Sequence, residues 1–101
     1  MRGDVVIALN DTEHVMRLTL GALVELERLL ASDGLVDLVG RFEQLEFSTQ
    51  DVLALLYAGL VGGGWQGSLD DLKAAQIHGG VSAATQAAAL LLVRAFGPCD
   101  D

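Results

Sequence analysis

The sequence predicts an α+β fold, mostly α: an N-terminal β-hairpin followed by about five short helices packed as a small bundle. Three observations carry this expectation. The apolar, largely β-branched run Val5 to Leu9 is followed by turn residues and then by strand-like alternation. From Thr19 onward the apolar residues recur at helical spacing instead. The helical stretches are separated by glycines, and two of them open on a serine with an aspartate three residues later, at Ser48 and Ser68. At 101 residues the chain suits one domain, taken here as 1–101. A domain of that size buries roughly two-thirds of the surface its unfolded chain exposes, enough for a core without disulfides.

Taken in order, the hairpin occupies about 4–19. Val5 to Leu9 forms its first strand, Asn10-Asp11-Thr12-Glu13 supplies turn chemistry, and His14 to Thr19 alternates, with His14, Met16 and Leu18 on one face. A lone two-stranded hairpin is marginal in water, so it must lie on the helices or pair its edges with another chain. Thr19 caps a helix over about 20–32, whose stripe is Leu20, Leu23, Leu26 and Leu30, with Val24 and Leu29 on its flanks and Glu27 at its edge. Gly34 is placed to stop it. A second helix over about 35–46 presents Leu35, Leu38, Val39, Phe42 and Leu45 on one side, with Asp37 and Arg41 as an i,i+4 pair. Gly40 weakens it by about 1 kcal/mol of propensity. Ser48 and Asp51 open a third helix, about 49–61, that runs into Gly62-Gly63-Gly64. Ser68 opens a fourth, about 69–77, ending at His78-Gly79-Gly80. The last, about 82–96, is alanine-rich, and its small side chains permit close helix approach. Gly97-Pro98 stops it and leaves 97–101 as a frayed tail. No internal repeat, linker or low-complexity tract divides the chain.

Composition narrows function. Hydrophobic residues make up 51%, chiefly Leu, Val and Ala, which leaves apolar material for a partner beyond a core. Fourteen acids against 6 bases give a net charge of −8, a field that repels nucleic acid and anionic membrane. The acids are scattered over helix faces and ends, as on a solvated surface. The single cysteine, Cys99, cannot pair within the chain and is compatible with a reducing compartment. Val5 to Leu9 is too short for a signal-peptide core, and Val81 to Phe96 falls short of the roughly 20 apolar residues that cross a bilayer. A cytoplasmic location is expected.

One motif invites an enzymatic reading. GGGWQG, residues 62 to 67, is formally G-x-G-x-x-G, through Gly62, Gly64 and Gly67. A dinucleotide fingerprint needs a preceding strand, a helix opening within it, and an acid about 20 residues on. Here a helix precedes, no strand follows, and the later region, Val81 to Ala87, lacks the acid. No lysine follows at P-loop spacing either. The glycines are punctuation: a helix end that needs φ > 0. Trp65, inside the motif, either folds back on the core or stands out as a partner anchor. Metal chemistry lacks ligand spacing, since His14 and His78 are the only histidines and lie in different elements. Asp70 and Asp71 diverge by about 100° on a helix and suit its N-terminal dipole. No nucleophile–base arrangement can be assembled around Cys99 or any serine. The expectation is a non-enzymatic protein with no catalytic residue, no metal and no cofactor.

The order of elements resembles a family of small phage proteins. A hairpin runs into MRLTLGALVELERLL, then STQDVLALLYAGL runs into GGG, then SLDDL and an Ala-rich helix follow; the most specific parts are LTLGALVELE (18–27) and AGLVGGG with SLDD after it (58–71). These are tail assembly proteins of gene transfer agents and related prophages, described as tail assembly chaperones and sometimes labelled tail tube proteins. The likeness covers roughly residues 4 to 97. It implies a role in virion morphogenesis without catalysis: coating the tape measure protein, or engaging other tail proteins, until tube subunits polymerise. It also leaves open a structural tube or adaptor subunit retained in the particle, with possible homo-oligomers. The family supplies no catalytic residues. A helical groove lined by Leu and Ala could accept an amphipathic segment, and Tyr57, Leu60, Val61, Trp65 and Leu69, around the Gly-rich turn, are the candidate partner contacts, although each also suits an ordinary core position.

Overall fold

The computed structural model describes residues 4–30 and 34–96. Its elements run β1 Val5–Leu9, β2 Thr12–Met16, α1 Leu20–Leu30, α2 Leu35–Glu43, α3 Thr49–Gly62, α4 Leu69–Ala74 and α5 Gly80–Phe96. The expected α+β, mostly α architecture is therefore present, an antiparallel hairpin followed by five helices. The tail 97–101, with Cys99, and the expected last residues of the first helix lie outside the described residues.

The hairpin turn is tighter than the sequence suggested. Only Asn10 and Asp11 make it, at φ 52° and 69°, and β2 begins at Thr12. Positive φ at both central residues is the type I′ signature, whose twist matches that of paired strands, and Asn and Asp tolerate it best after glycine. Register pairs Val5 with Met16, Ile7 with His14 and Leu9 with Thr12. Val5, Ile7, Leu9 and Met16 are buried on one face, and Val6 and Val15 are exposed on the other.

The hairpin is stabilised from below and at one edge. Its buried face lies on α3 and α5. Along the outer edge of β1, the Asn10 N–H donates to the Gln76 carbonyl at 2.8 Å and the His78 N–H to the Ala8 carbonyl at 3.0 Å, so Leu9 and Ile77 form an antiparallel bridge. The Gln76 N–H donates to Asn10 Oδ1 at 3.0 Å. This overturns the expectation of a helix to about 77. α4 stops at Ala74, Ala75 turns extended at ψ 150°, and the strand edge claims the backbone beyond it. Tertiary pairing here overrides the helix propensity of Ala and Gln.

α3 is the hub. It packs against α1, α5, α4 and β2. Ala54, Leu55, Ala58 and Leu60 are all buried, which explains why it is apolar nearly all round instead of along one stripe. Ser48 and Asp51 form the expected capping box, as do Ser68 and Asp71 on α4. Gly59, mid-helix, lies under Leu91 and Met16, and a Cβ there would come to 2.8 Å from Leu91 Cδ1. Ala84, Ala87 and Ala88 of α5 are buried as well, on the helix that packs against α3 and β1.

Two helix faces differ from expectation. On α1 the buried residues are Ala22, Leu26 and Leu30, whereas Leu20 is 82% exposed and Val24 59%. Leu20 of the expected stripe thus faces water, and Ala22, outside that stripe, is buried. Thr19 does cap α1, its Oγ1 accepting from the Ala22 N–H at 3.1 Å. α2 ends at Glu43, and Leu45, instead of extending its stripe, sits at φ 58° with its side chain exposed.

Candidate functional site

The GGGWQG stretch resolves into separate physical demands. α3 closes in a Schellman motif. The Trp65 N–H donates to the Leu60 carbonyl at 2.8 Å, the Gly64 N–H donates to the Val61 carbonyl at 3.0 Å, and Gly64 takes φ +99°. Only Gly64 answers a need for positive φ. Gly62 and Gly63 answer a need for close approach: a Cβ on either would fall inside the van der Waals surface of a β2-side carbonyl oxygen, that of Arg17 or Val15 respectively. The Arg17 N–H donates to the Gly59 carbonyl at 2.8 Å, so the chain leaving β2 is bonded directly to the last turn of α3. Gly67 is roofed by the Trp65 ring. The stretch is a joint between hairpin and helix, and no loop cradling a phosphate is formed.

Trp65 takes the folded-back course. Its ring meets Tyr57 edge-on at 6.4 Å between centroids and His14 edge-on at 6.3 Å, and it is half-buried. Of the other nominated contacts, Tyr57, Val61 and Leu69 are also half-buried, while Leu60 is fully buried among core residues and offers no surface. Beside Trp65 lies a shallow hollow of about 500 Å³ floored by Leu9, Thr12, His14 and Ala74, with Asp71 at its rim. It is as polar as it is apolar, so it suits a wet contact more than a buried anchor.

Two more apolar hollows lie where elements distant in sequence meet, and sequence reasoning did not find them. One, about 410 Å³, opens between α3, α4 and α5 over Val52, Leu53, Leu56, Leu72 and Ala84. The other, about 380 Å³, is a groove between α2 and α5 lined by Val39, Phe42, Glu43, Ala89, Leu92, Val93 and Phe96. The only sequence signal for the second is the i, i+3, i+4, i+7 spacing of Ala89, Leu92, Val93 and Phe96, which marks a face without saying whether it is covered.

The charged side chains that are held in place act structurally. Asp51 joins α3 to α2: its carboxylate accepts from Arg41 Nη2 at 2.7 Å, Arg41 Nε at 2.9 Å and the Ser48 N–H at 2.9 Å. The Arg41 hydrogen bonds hold this carboxyl below the usual carboxylate range, against the partial burial that pushes it up. Arg41 was expected to pair along its own helix with Asp37; the fork onto Asp51 instead ties two helices. Phe42 stacks on Phe47 at 4.4 Å across the same joint. At the open end of the hairpin, Arg17 forks onto Asp4, lowering the pKa of that carboxyl. Among the described residues no group of His, Cys, Asp and Glu side chains is gathered that could hold a metal ion, and no helix is long and apolar enough to cross a membrane.

No curated protein and no solved structure matches the chain. A protein family does, over residues 2–98, which is nearly all of it. That span takes in the hairpin, the Gly-rich joint and every helix, so the chain belongs to the phage tail family described as "Phage tail tube protein, GTA-gp10".

Proposed function

We propose that this phage tail protein acts during tail morphogenesis as an assembly chaperone, binding the tape measure protein and holding its apolar helical chain in solution until tube subunits enclose it. The supporting observation is the apolar surface left open on so acidic a body. Leu20, Val36, Leu45 and Val81 are each about four-fifths exposed, and Val93 and Phe96 flank an open groove, on a chain of net charge −8. Exposed apolar area of this kind marks interaction surfaces, and the charge keeps the uncomplexed protein from associating with itself. Tyr57, Val61, Trp65 and Leu69, on the joint, are proposed as one contact patch, with Leu60 as support beneath it. Binding would take place in the host cytoplasm, without catalysis or cofactor.

The family's description favours a second reading, a tube or adaptor subunit that stays in the particle. Against it stands the two-stranded sheet, which offers little wall to a tube. Size-exclusion chromatography with light scattering separates the two, run on the protein alone and with the tape measure protein. The chaperone reading expects a discrete small species that forms a soluble complex. It also expects the emission of Trp65, the chain's single tryptophan, to shift on complex formation. Rings or tubes from the protein alone, with no uptake of tape measure protein, establish the second reading instead.

A further inference from the structure

We infer that the groove between α2 and α5 docks an amphipathic helix whose apolar stripe is flanked by lysine or arginine. The inference deepens the proposed function, on which it rests, by naming the site and the chemistry of the segment bound.

The groove has the form that an incoming helix needs. One wall is Val39 and Phe42 of α2; the other is the stripe Ala89, Leu92, Val93 and Phe96 of α5. Leu92 is buried as the floor, while Val93 at 60% exposure and Phe96 at 46% stand up as rims. Ala89 leaves room for close backbone approach. The stripe spans two helical turns, about 10 Å of axis, which matches the i, i+3, i+4, i+7 anchors of a docked helix. Phe42 is held in place by its stack on Phe47, and α2 by the Arg41–Asp51 fork, so this wall is formed before a partner arrives.

Charge decides which occupant. Among the described residues Glu43 is the one charged side chain lining the groove. Arg41 of α2 forks onto Asp51. A second copy would set −8 against −8, and like-sign surfaces oppose association. A helix with basic flanks complements the Glu43 carboxylate and the net negative field of the chain. The hollow between α3, α4 and α5 lacks this bias, since its charged lining residue is Lys73.

The test uses the full chain and two labelled 18-residue helical peptides with the same leucine stripe, one flanked by lysines and one by glutamates. Fluorescence anisotropy should show the lysine peptide binding and the glutamate peptide binding at least tenfold more weakly. Val93→Glu, at an exposed rim, should weaken the lysine peptide by about tenfold or more, as loss of an interface anchor does. Val24→Glu on α1, equally charged and 59% exposed but outside the groove, should leave it within about twofold. Glu43→Lys should weaken the lysine peptide and strengthen the glutamate peptide. Equal loss in Val93→Glu and Val24→Glu would mean diffuse electrostatic adsorption and overturn the site. So would indifference to Glu43→Lys, or a dimer in light scattering that Val93→Glu dissociates. The proposed function fails separately. If the tape measure protein binds and Val93→Glu does not alter it, the chaperone reading stands and the groove is wrong. If the lysine peptide binds as described but the tape measure protein does not, the groove stands without that partner.

Discussion

Replacing each glycine of the α3–hairpin joint by alanine tests the reading of GGG as three different demands. At Gly62 and Gly63 the added Cβ meets a backbone carbonyl oxygen, of Arg17 and Val15, which cannot rotate away as a side chain can. The strand must lift from the helix, and overpacking of this kind costs about 1–3 kcal/mol. Part of that is offset, because alanine is favoured over glycine in a helix by about 1 kcal/mol. At Gly64, φ +99° with nothing within 4 Å of a Cβ leaves only conformational strain, about 1–2 kcal/mol for a left-handed non-glycine residue. Gly40 is the control: it is helical, without positive φ, and open space surrounds its Cβ. Gly40→Ala should therefore stabilise by up to about 1 kcal/mol. For a domain near 100 residues, 1 kcal/mol moves Tm by about 4–8 °C. Thermal and urea unfolding followed by circular dichroism should thus place Gly40→Ala above the parent and the other three below it. Hydrogen exchange separates the mechanisms. Gly62→Ala should deprotect the Arg17 amide, which donates to Gly59, and Gly64→Ala should not. If Gly62→Ala and Gly63→Ala are as stable as the parent, the close-approach argument is refuted.

Four further outcomes follow from the local geometry. Asp51→Ala removes the acceptor of the Ser48 N–H in the capping box and of the Arg41 fork, so the loss should be about 1.5–3 kcal/mol by urea unfolding, the range for hydrogen bonds to a charged group. Because its folded-state pKa is depressed, Asp51 contributes stability that is present above the unfolded carboxylate value near 4 and lost as pH falls through the folded value; Asp51→Asn should flatten the decline in stability below about pH 4, and an unchanged acid profile would contradict the assignment. Leu45→Gly relieves an exposed left-handed leucine and should raise Tm by a few degrees, since the strain of about 1–2 kcal/mol exceeds the entropy cost of glycine, about 0.5–1 kcal/mol. Gly67→Ala should push the Trp65 ring off its seat and shift its emission to the red, with acrylamide quenching increased.

Where sequence reasoning succeeded, the signal was local. The Ser48 and Ser68 capping boxes, the stop at Gly62–Gly64 and the β-branched first strand each depend on residues within a few positions of one another. Where it failed, a distant element decided. Nothing near Gln76 announces that the outer edge of β1 will take its carbonyl, so a run of helix formers read as helix. Nothing near Asp51 announces Arg41 across the α2–α3 joint, and Arg41 was assigned to Asp37 on its own helix. On α1, leucine and valine stand on too many sides for periodicity to choose a face, and the small Ala22 wins burial because Gly62 lies against it. Trp65 was recognised as needing a resting place; that its seat would be made by Tyr57, His14 and Gly67 was not legible. The apolar grooves were invisible for the same reason. Each is a gap between helices far apart in sequence, and a gap leaves no pattern.

The apolar exposure and the charge make sense together. A chain that is 51% hydrophobic and leaves Leu20, Val36, Leu45 and Val81 in water would be expected to self-associate. Two features oppose it. The first is the −8 net charge, which makes approach of a second copy unfavourable wherever the surfaces are not intimately matched. The second is the handling of the hairpin, whose β1 edge is partly occupied by Gln76–His78 and whose β2 side is locked at Arg17 to α3. Free strand edges are the usual route to uncontrolled pairing, and occupying them within the chain leaves exposed apolar side chains and the helical grooves as the surfaces open to a partner. On the proposed reading, the same charge that discourages self-association favours a basic partner.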